Sequence, residues 1–262
     1  MHSHSVHSQD VSIAYRVIGA GPRDVMLVHG WMVSGAVYDD LVGALDTEGL
    51  RLILVDLRGS GKSGRPQSGY TIEQYAKDVL AVADAVGSRK FMLVGHSMGG
   101  QIAQWIAATA PERVLGMVLL CPVPASGIPL PPDAQALFRN CGQNRSMQQT
   151  ILGLACKQLS DEARERLLDD AQGVSVECVA QAFDTWTTGG FSERLGAIVT
   201  PTLVVGTDDP FLPPSFLRQA VVSLIRGARL SVLPGPGHYV QVERPRETAA
   251  LVEAFLAALP HP

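Results

Sequence analysis

Three residue types stand in this chain at spacings that suit acyl transfer: a serine between glycines, two adjacent aspartates after an apolar run, and a histidine in a glycine/proline loop. The serine lies in Phe91-Met-Leu-Val-Gly95-His96-Ser97-Met98-Gly99-Gly100, where Gly-x-Ser-x-Gly separates an apolar run from a segment of helical periodicity. A serine at the tip of such a strand-to-helix turn is held in a strained backbone, with glycines two residues away on either side so that strand and helix can approach. The turn lifts Oγ clear of the sheet, and the helix N-terminus places partial positive charge and free N–H groups beneath it. Serine is a weak nucleophile until a base takes its proton and an acid orients that base. The loop Leu233-Pro-Gly-Pro-Gly237-His238 offers His238 as the base, and Gly206-Thr207-Asp208-Asp209-Pro210 offers the acid. Asp209 is preferred because Pro210 follows it, which leaves Asp208 as a turn residue. The chain order Ser, Asp, His is the one a strand–turn–helix nucleophile calls for.

An acyl-transfer site also needs donors for the developing oxyanion. The Met98 amide, at the head of the helix, is one candidate. The loop His29-Gly30-Trp31 supplies the other through the Trp31 amide, with Gly30 expected to take an unusual backbone angle. Gly59-Ser60-Gly61-Lys62-Ser63 ends like a phosphate-binding loop, but Asp56 stands where the full pattern needs glycine, so nucleotide binding is not expected.

These residues need a scaffold that brings distant loops to one edge. Short apolar runs at 25–28, 52–55, 91–94, 114–120, 203–205 and 230–233 predict strands buried on both faces. A further strand, at 11–18, is expected at the sheet edge. Helical periodicity covers 37–45, 72–86, 98–110, 215–224 and 246–259, and strand–helix alternation predicts an α/β architecture with a mostly parallel sheet between helices. The alternation stops after Leu120, where Pro122, Pro124, Pro129, Pro131 and Pro132 precede a wholly helical stretch to about Arg194. Helices are predicted at 133–141, 146–157, 161–170 and 175–186, with Ser160 and Ser175 as N-caps. A helical insertion at the C-terminal edge of a parallel sheet reads as a cap over a pocket. The expected division is therefore a core of residues 1–121 and 196–262 with a cap, or lid, at 122–195. Residues at helical spacing in the cap more often pack against one another than against a ligand; among them Phe138, Met147, Phe183 and Trp186, together with Trp31 and Phe211, are the candidate pocket lining.

The composition narrows the function classes. Hydrophobic residues make up 46% of the 262, charged residues 18%, and the net charge is −4, which fits a globular chain and leaves no basic footprint for nucleic acid. No apolar run approaches a membrane span and the N-terminus lacks a signal-like apolar region, so a cytoplasmic protein without membrane contact is expected. Cys121, Cys141, Cys156 and Cys178 stand at no metal-ligand spacing and read as small buried hydrophobes, although their even number leaves pairing open. His2, His4 and His7 read as part of a frayed terminus.

Taken together, His29-Gly30-Trp31, Asp56-Leu-Arg-Gly-Ser-Gly-Lys-Ser63, Gly95-His-Ser-Met-Gly-Gly100, Gly206-Thr-Asp-Asp-Pro210 and Gly237-His238 with Glu243-Arg-Pro245 resemble the α/β-hydrolase superfamily. The likeness is to its small lidded esterases, enol-lactonases and cofactor-free haloperoxidase-like proteins. The resemblance implies a helical cap after the sixth strand and Ser97, His238 and Asp209 as nucleophile, base and acid. It also implies Trp31 and Met98 amides as oxyanion hole and no metal or organic cofactor. Ser97 sets the chain apart from the dehalogenase-like and epoxide-hydrolase-like branches, which carry aspartate there. The expected reaction is hydrolysis of a small to medium apolar carboxylic ester or lactone through an acyl-enzyme. The alternatives are a C–C bond hydrolase or perhydrolase on the same triad, and a ligand-sensing receptor that retains it. The sequence leaves the oligomeric state open.

Overall fold

The computed structural model describes residues 3–259. Its eight strands form one sheet in the order β1-β2-β4-β3-β5-β6-β7-β8. They are β1 (Ser3–Ser8), β2 (Val11–Ile18), β3 (Arg23–Val28), β4 (Leu50–Val55), β5 (Phe91–His96), β6 (Val114–Leu120), β7 (Thr202–Gly206) and β8 (Arg229–Val232). The pairs β1/β2 and β2/β4 are antiparallel; the rest of the sheet is parallel. The chain steps outward from β3 to β4, then returns to place β5 on the other side of β3. That reversal opens a crevice beyond the C-terminal ends of β3 and β5, where ligands bind in open α/β sheets. His29–Trp31 and Ser97 follow those two ends.

The parallel strands carry apolar residues on both faces. Met26, Val28, Ile53, Val55, Leu93, Met117 and Leu119 join one core cluster with helices α2 (Ile72–Ala85) and α3 (Met98–Thr109). Their alternates Val25, Leu27, Leu52, Leu54, Val94, Val118 and Leu120 join another with α1 (Asp39–Ala44) and α10 (Pro245–Ala257). Between β6 and β7 lie α4 (Pro132–Arg139), α5 (Arg145–Ala155), α6 (Asp161–Gln172) and α7 (Val176–Thr188). Ser160 and Ser175 cap α6 and α7 as expected, accepting from the Ala163 and Cys178 amides. The helix expected over 215–224 instead divides into α8 (Pro214–Leu217) and a π-helical turn, and α9 (Val240–Glu243) follows the His238 loop.

The sheet ends differ from expectation. Residues 3–8 are not frayed: they form the edge strand β1, joined to β2 by a two-residue turn in which Gln9 takes φ +57°. Backbone pairing needs no apolar side chains, which is why periodicity missed a Ser/His-rich strand, and polar residues suit an edge. His4 stacks on Tyr15 with ring centroids 5.5 Å apart. His2 and His261 lie outside the described residues. At the other end β8 is only partly buried, with Val232 exposed, because it too is an edge.

The phosphate-loop-like segment is a turn built around Asp56. Its Oδ1 accepts from the Gly35 amide at 2.9 Å and its Oδ2 from the Lys62 amide at 2.9 Å, so the carboxylate fills the loop itself. Arg58, two residues on, makes a buried two-pronged pair with Asp78 of α2 (Nε–Oδ2 2.6 Å, Nη2–Oδ1 2.8 Å). Removing one partner would strand an uncompensated charge. Asp78→Ala is expected to lower stability by about 3–5 kcal/mol in a denaturant melt, and a loss under about 1 kcal/mol would show the pair to be well hydrated.

Candidate active site

Ser97 sits between β5 and α3 with φ +54° and ψ −120°, a conformation that costs an L-residue about 1–3 kcal/mol. Its own backbone is heavily tied down. Its N–H donates to Leu120 O at 3.0 Å, and its carbonyl accepts from the amides of Gly100, Gln101 and Val123. The flanking glycines are there because of close backbone approach. A Cβ on Gly95 would fall 2.5 Å from Gly99 O, one on Gly100 2.6 Å from Pro122 Cβ, and one on Gly99 would collide with Val28 O at the end of β3.

Gly30 serves the same purpose, which corrects the expected unusual angle. It is Met32 that carries positive φ in this loop (+63°), while a Cβ on Gly30 would lie 3.0 Å from Ser97 Cβ and 3.1 Å from His96 Nδ1. The His29–Trp31 loop therefore packs directly on the serine turn. Met98 heads α3, where no residue four positions back in a helix can accept from its N–H.

His238 and Asp209 meet. His238 Nδ1 lies 2.6 Å from Asp209 Oδ2, and the other carboxylate oxygen accepts from the Phe211 amide at 2.8 Å. A carboxylate can only accept, so Nδ1 carries the proton and Nε2 is left as the basic nitrogen. Asp209 is 1% exposed. Asp208 is exposed and instead ties two loops together, accepting from the Gly235 amide at 3.0 Å.

The two neighbouring histidines are held neutral. Burial pushes the His96 imidazole well below its usual range, with the nearby His238 ring adding to the effect, and burial likewise lowers His29. Leu57 donates to His29 Nε2 at 2.9 Å, so Nδ1 carries the proton and donates to Gly30 O at 2.7 Å. His96 Nε2 donates to the His238 carbonyl at 3.0 Å, and its ring packs against that of His238 at 4.8 Å.

Ser97 and His238 share one cavity of about 50 Å³. Trp31, Phe138, Trp186 and Phe211 line it, and their rings interlock: Trp31 stacks on Phe138 at 5.7 Å, and Phe138 meets Phe211 edge-on at 5.6 Å. Phe183 and Met147 do not line it. Phe183 packs behind the lining against Trp186 (5.1 Å), and Met147 lies half-buried on the core cluster, because helical spacing marks the inward face of a helix but not how deep each side chain reaches. Sequence reasoning passed over Met32, Val123, Ile128, Leu130, Ala155, Leu212 and Tyr239. Three of these directly follow residues already singled out (Trp31, Phe211, His238), a signal that was present. The proline-rich segment 123–130 gave none.

Cys121, at the end of β6, brings a sulfur close to this pair: its Sγ, an Asp209 oxygen and a His238 nitrogen lie within 4.8 Å of one another. The three do not form a metal cage. The 2.6 Å contact between Nδ1 and Oδ2 leaves no room for an ion between them, and burial holds the Cys121 thiol far above its usual range, whereas a metal needs the thiolate. All four cysteines are free.

A family model described as "Alpha/beta hydrolase family" matches residues 25–251. The chain is 31% identical over 252 residues to a non-heme haloperoxidase of Rhodococcus erythropolis, covering 88% of this chain and 90% of that one. Among solved structures, a bromoperoxidase from Bacillus anthracis matches with a TM-score of 0.88 at 23% identity, covering 94% of this chain and 96% of that one, a likeness of fold. Est816, described as an N-acyl homoserine lactone degrading enzyme, matches with a TM-score of 0.81 at 28% identity, covering 96% of this chain and all of its own.

Burial raises every thiol, Cys178 to about 11 and Cys141 to about 12, so they stay protonated as pH climbs through the range where a free cysteine ionises. Ellman's reagent at pH 8 is expected to find four thiols in unreduced, guanidinium-unfolded protein and at most one fast-reacting thiol, Cys156, in the native protein. Fewer than four on unfolding would reveal a disulfide.

Proposed function

The chain belongs to the alpha/beta hydrolase family, and within it we propose that it is a serine hydrolase that cleaves a small to medium apolar carboxylic ester or lactone. The observation that carries this reading is that His238, held by the buried Asp209, shares an apolar cavity with a serine on a strained strand-to-helix turn. In the proposed cycle His238 Nε2 takes the Ser97 proton as Oγ attacks the substrate carbonyl. The Met98 and Trp31 amides receive the oxyanion. His238 then protonates the leaving alkoxide, and water activated by the same nitrogen releases the acid and restores Ser97. Asp209 holds the imidazole tautomer and stabilises the imidazolium that forms.

The substrate class rests on the cavity. Its lining is mostly aromatic and aliphatic and, among the described residues, carries no Lys, Arg, Asp or Glu, so a charged acyl group would lose hydration without a counter-ion. We take helices α4–α7 as the cap of residues 122–195: Phe138, Ile151, Ala155 and Trp186 from these helices close the cavity over Ser97. The likeness to Est816 supports keeping lactones beside open esters.

The test is a labelled fluorophosphonate and a panel of p-nitrophenyl esters. Ser97→Ala is expected to abolish both labelling and turnover while the far-UV spectrum is unchanged. Asp209→Asn is expected to lower kcat about ten-thousandfold, with Asp208→Asn near wild type; the reverse order would move the acid to Asp208. Diketone cleavage or peracid formation outpacing every ester would replace the reaction while keeping the triad.

The cavity wall also makes a prediction. Phe138→Ala should lengthen the preferred acyl chain, each newly buried methylene adding about 0.8 kcal/mol, or about fourfold in kcat/KM. An unchanged chain-length profile would place the acyl group elsewhere.

A further inference from the structure

The loop that carries His238 has every backbone polar group from 237 to 239 anchored. Gly237 O accepts from Thr207 Oγ1 (2.8 Å), His238 N–H donates to Ala155 O (2.9 Å), and His238 O accepts from His96 Nε2 (3.0 Å). Tyr239 O accepts from the amides of Val242 and Glu243, both at 2.8 Å. The remaining two N–H groups, on either side of His238, go to one side chain. Glu243 Oε2 accepts from Gly237 N at 3.0 Å and Oε1 from Tyr239 N at 3.2 Å.

The same carboxylate reaches across to the segment that ends α5. Oε2 also accepts from the amides of Lys157 (2.9 Å) and Gln158 (2.7 Å). Four backbone donors thus converge on one carboxylate that is 9% exposed. Its partners here are all backbone N–H groups, so both of its oxygens act as acceptors. Gly237 and α5 are also in direct contact, since a Cβ on Gly237 would run into Ala155 O and lie 2.9 Å from Cys156 Cα.

We propose that Glu243 is a positioning residue for His238: it brackets the imidazole-bearing residue from both sides and pins that loop to the end of α5, so the base is in register only while α5 is seated. Ala155, the last residue of α5, also lines the cavity, and this links occupancy of the pocket wall to placement of the base. The inference rests on the proposed role of His238 and concerns its placement. Glu243 lies on α9, four residues beyond the Tyr239 amide it receives, and touches no reacting atom.

The isosteric variant Glu243→Gln tests it. The amide turns one acceptor into a donor facing an N–H, so at least one bracket bond is lost while shape is kept. With protein shown folded by circular dichroism, kcat for p-nitrophenyl acetate is expected to fall about ten- to a hundredfold, the usual scale for a small misplacement of a catalytic group. KM should stay within about threefold, since the cavity wall is intact. Fluorophosphonate labelling of Ser97 should slow by the same factor as kcat. Gly237→Ala leaves Glu243 in place but forces the loop away from Ala155, and the same kcat-selective loss is expected. Should Glu243→Gln not fold, Gly237→Ala decides. A kcat within about threefold of wild type in a folded variant, or a loss that only tracks the unfolded fraction, overturns the proposal. A wild-type protein that neither labels at Ser97 nor turns over any ester would instead sink the serine-hydrolase reading on which it rests.

Discussion

The backbone contact between the serine turn and the end of β3 is the constraint on which the site depends. Gly99 lies so close to the Val28 and His29 carbonyls that no side chain fits there, and a Cβ on Gly30 would press on Ser97 Cβ and His96 Nδ1. Interiors pack at crystal-like density, so such an approach fixes both partners together. The topology makes it available: β3 and β5 are neighbours whose connections leave in opposite directions, and the loops after them face one crevice. The strained φ of Ser97 persists because its amide and carbonyl are held by β6, α3 and Val123.

Around that contact several buried polar groups are held by backbone partners, while His96 Nδ1 and Trp186 Nε1 have none among the described residues. His29 and His96 are buried, neutral and oriented by backbone partners, so the imidazole of His238 has no competing cation beside it. Asp209 has both oxygens occupied, one by His238 and one by the Phe211 amide. A carboxylate buried without such partners would be costly in a low-dielectric setting; here the Asx turn with Phe211 and the imidazole share it. On the far side, Asp170 of α6 accepts from both the amide and the hydroxyl of Ser34 (2.6 and 2.9 Å), three residues beyond Trp31, even though burial raises its carboxyl.

What could be read from the sequence followed physical periodicity and turn chemistry. The central strands were legible because they are apolar on both faces, and the serine turn because Gly-x-Ser-x-Gly has a steric meaning between a strand and a helix. The strand at 3–8 was not, since most of its side chains face solvent and its order comes from pairing with residues 11–16. Asp209 could be favoured over Asp208 from the following proline, yet only coordinates bring it to His238. The pocket was half legible: Trp31, Phe138, Trp186 and Phe211 reach it, whereas Phe183 and Met147 support it from behind. The role of Gly30 was misread, since sequence reveals that a side chain is missing but not whether space or dihedral angle forbids it. Glu243 was visible only as part of a motif, because its partners are main-chain amides, two of them about 85 residues away along the chain.

The Trp31 indole has a consequence for how such an enzyme can diversify. Its Nε1 donates to the Val179 carbonyl in α7 at 2.9 Å, while its main chain belongs to the loop packed on Ser97. One residue thereby couples a helix between β6 and β7 to the loop packed on the serine turn. Swapping those helices for a foreign set would orphan an indole N–H unless the newcomer supplied a carbonyl at the same height. Recombination in this lineage is therefore expected to accept new helices between β6 and β7 mainly where position 31 changes in the same step.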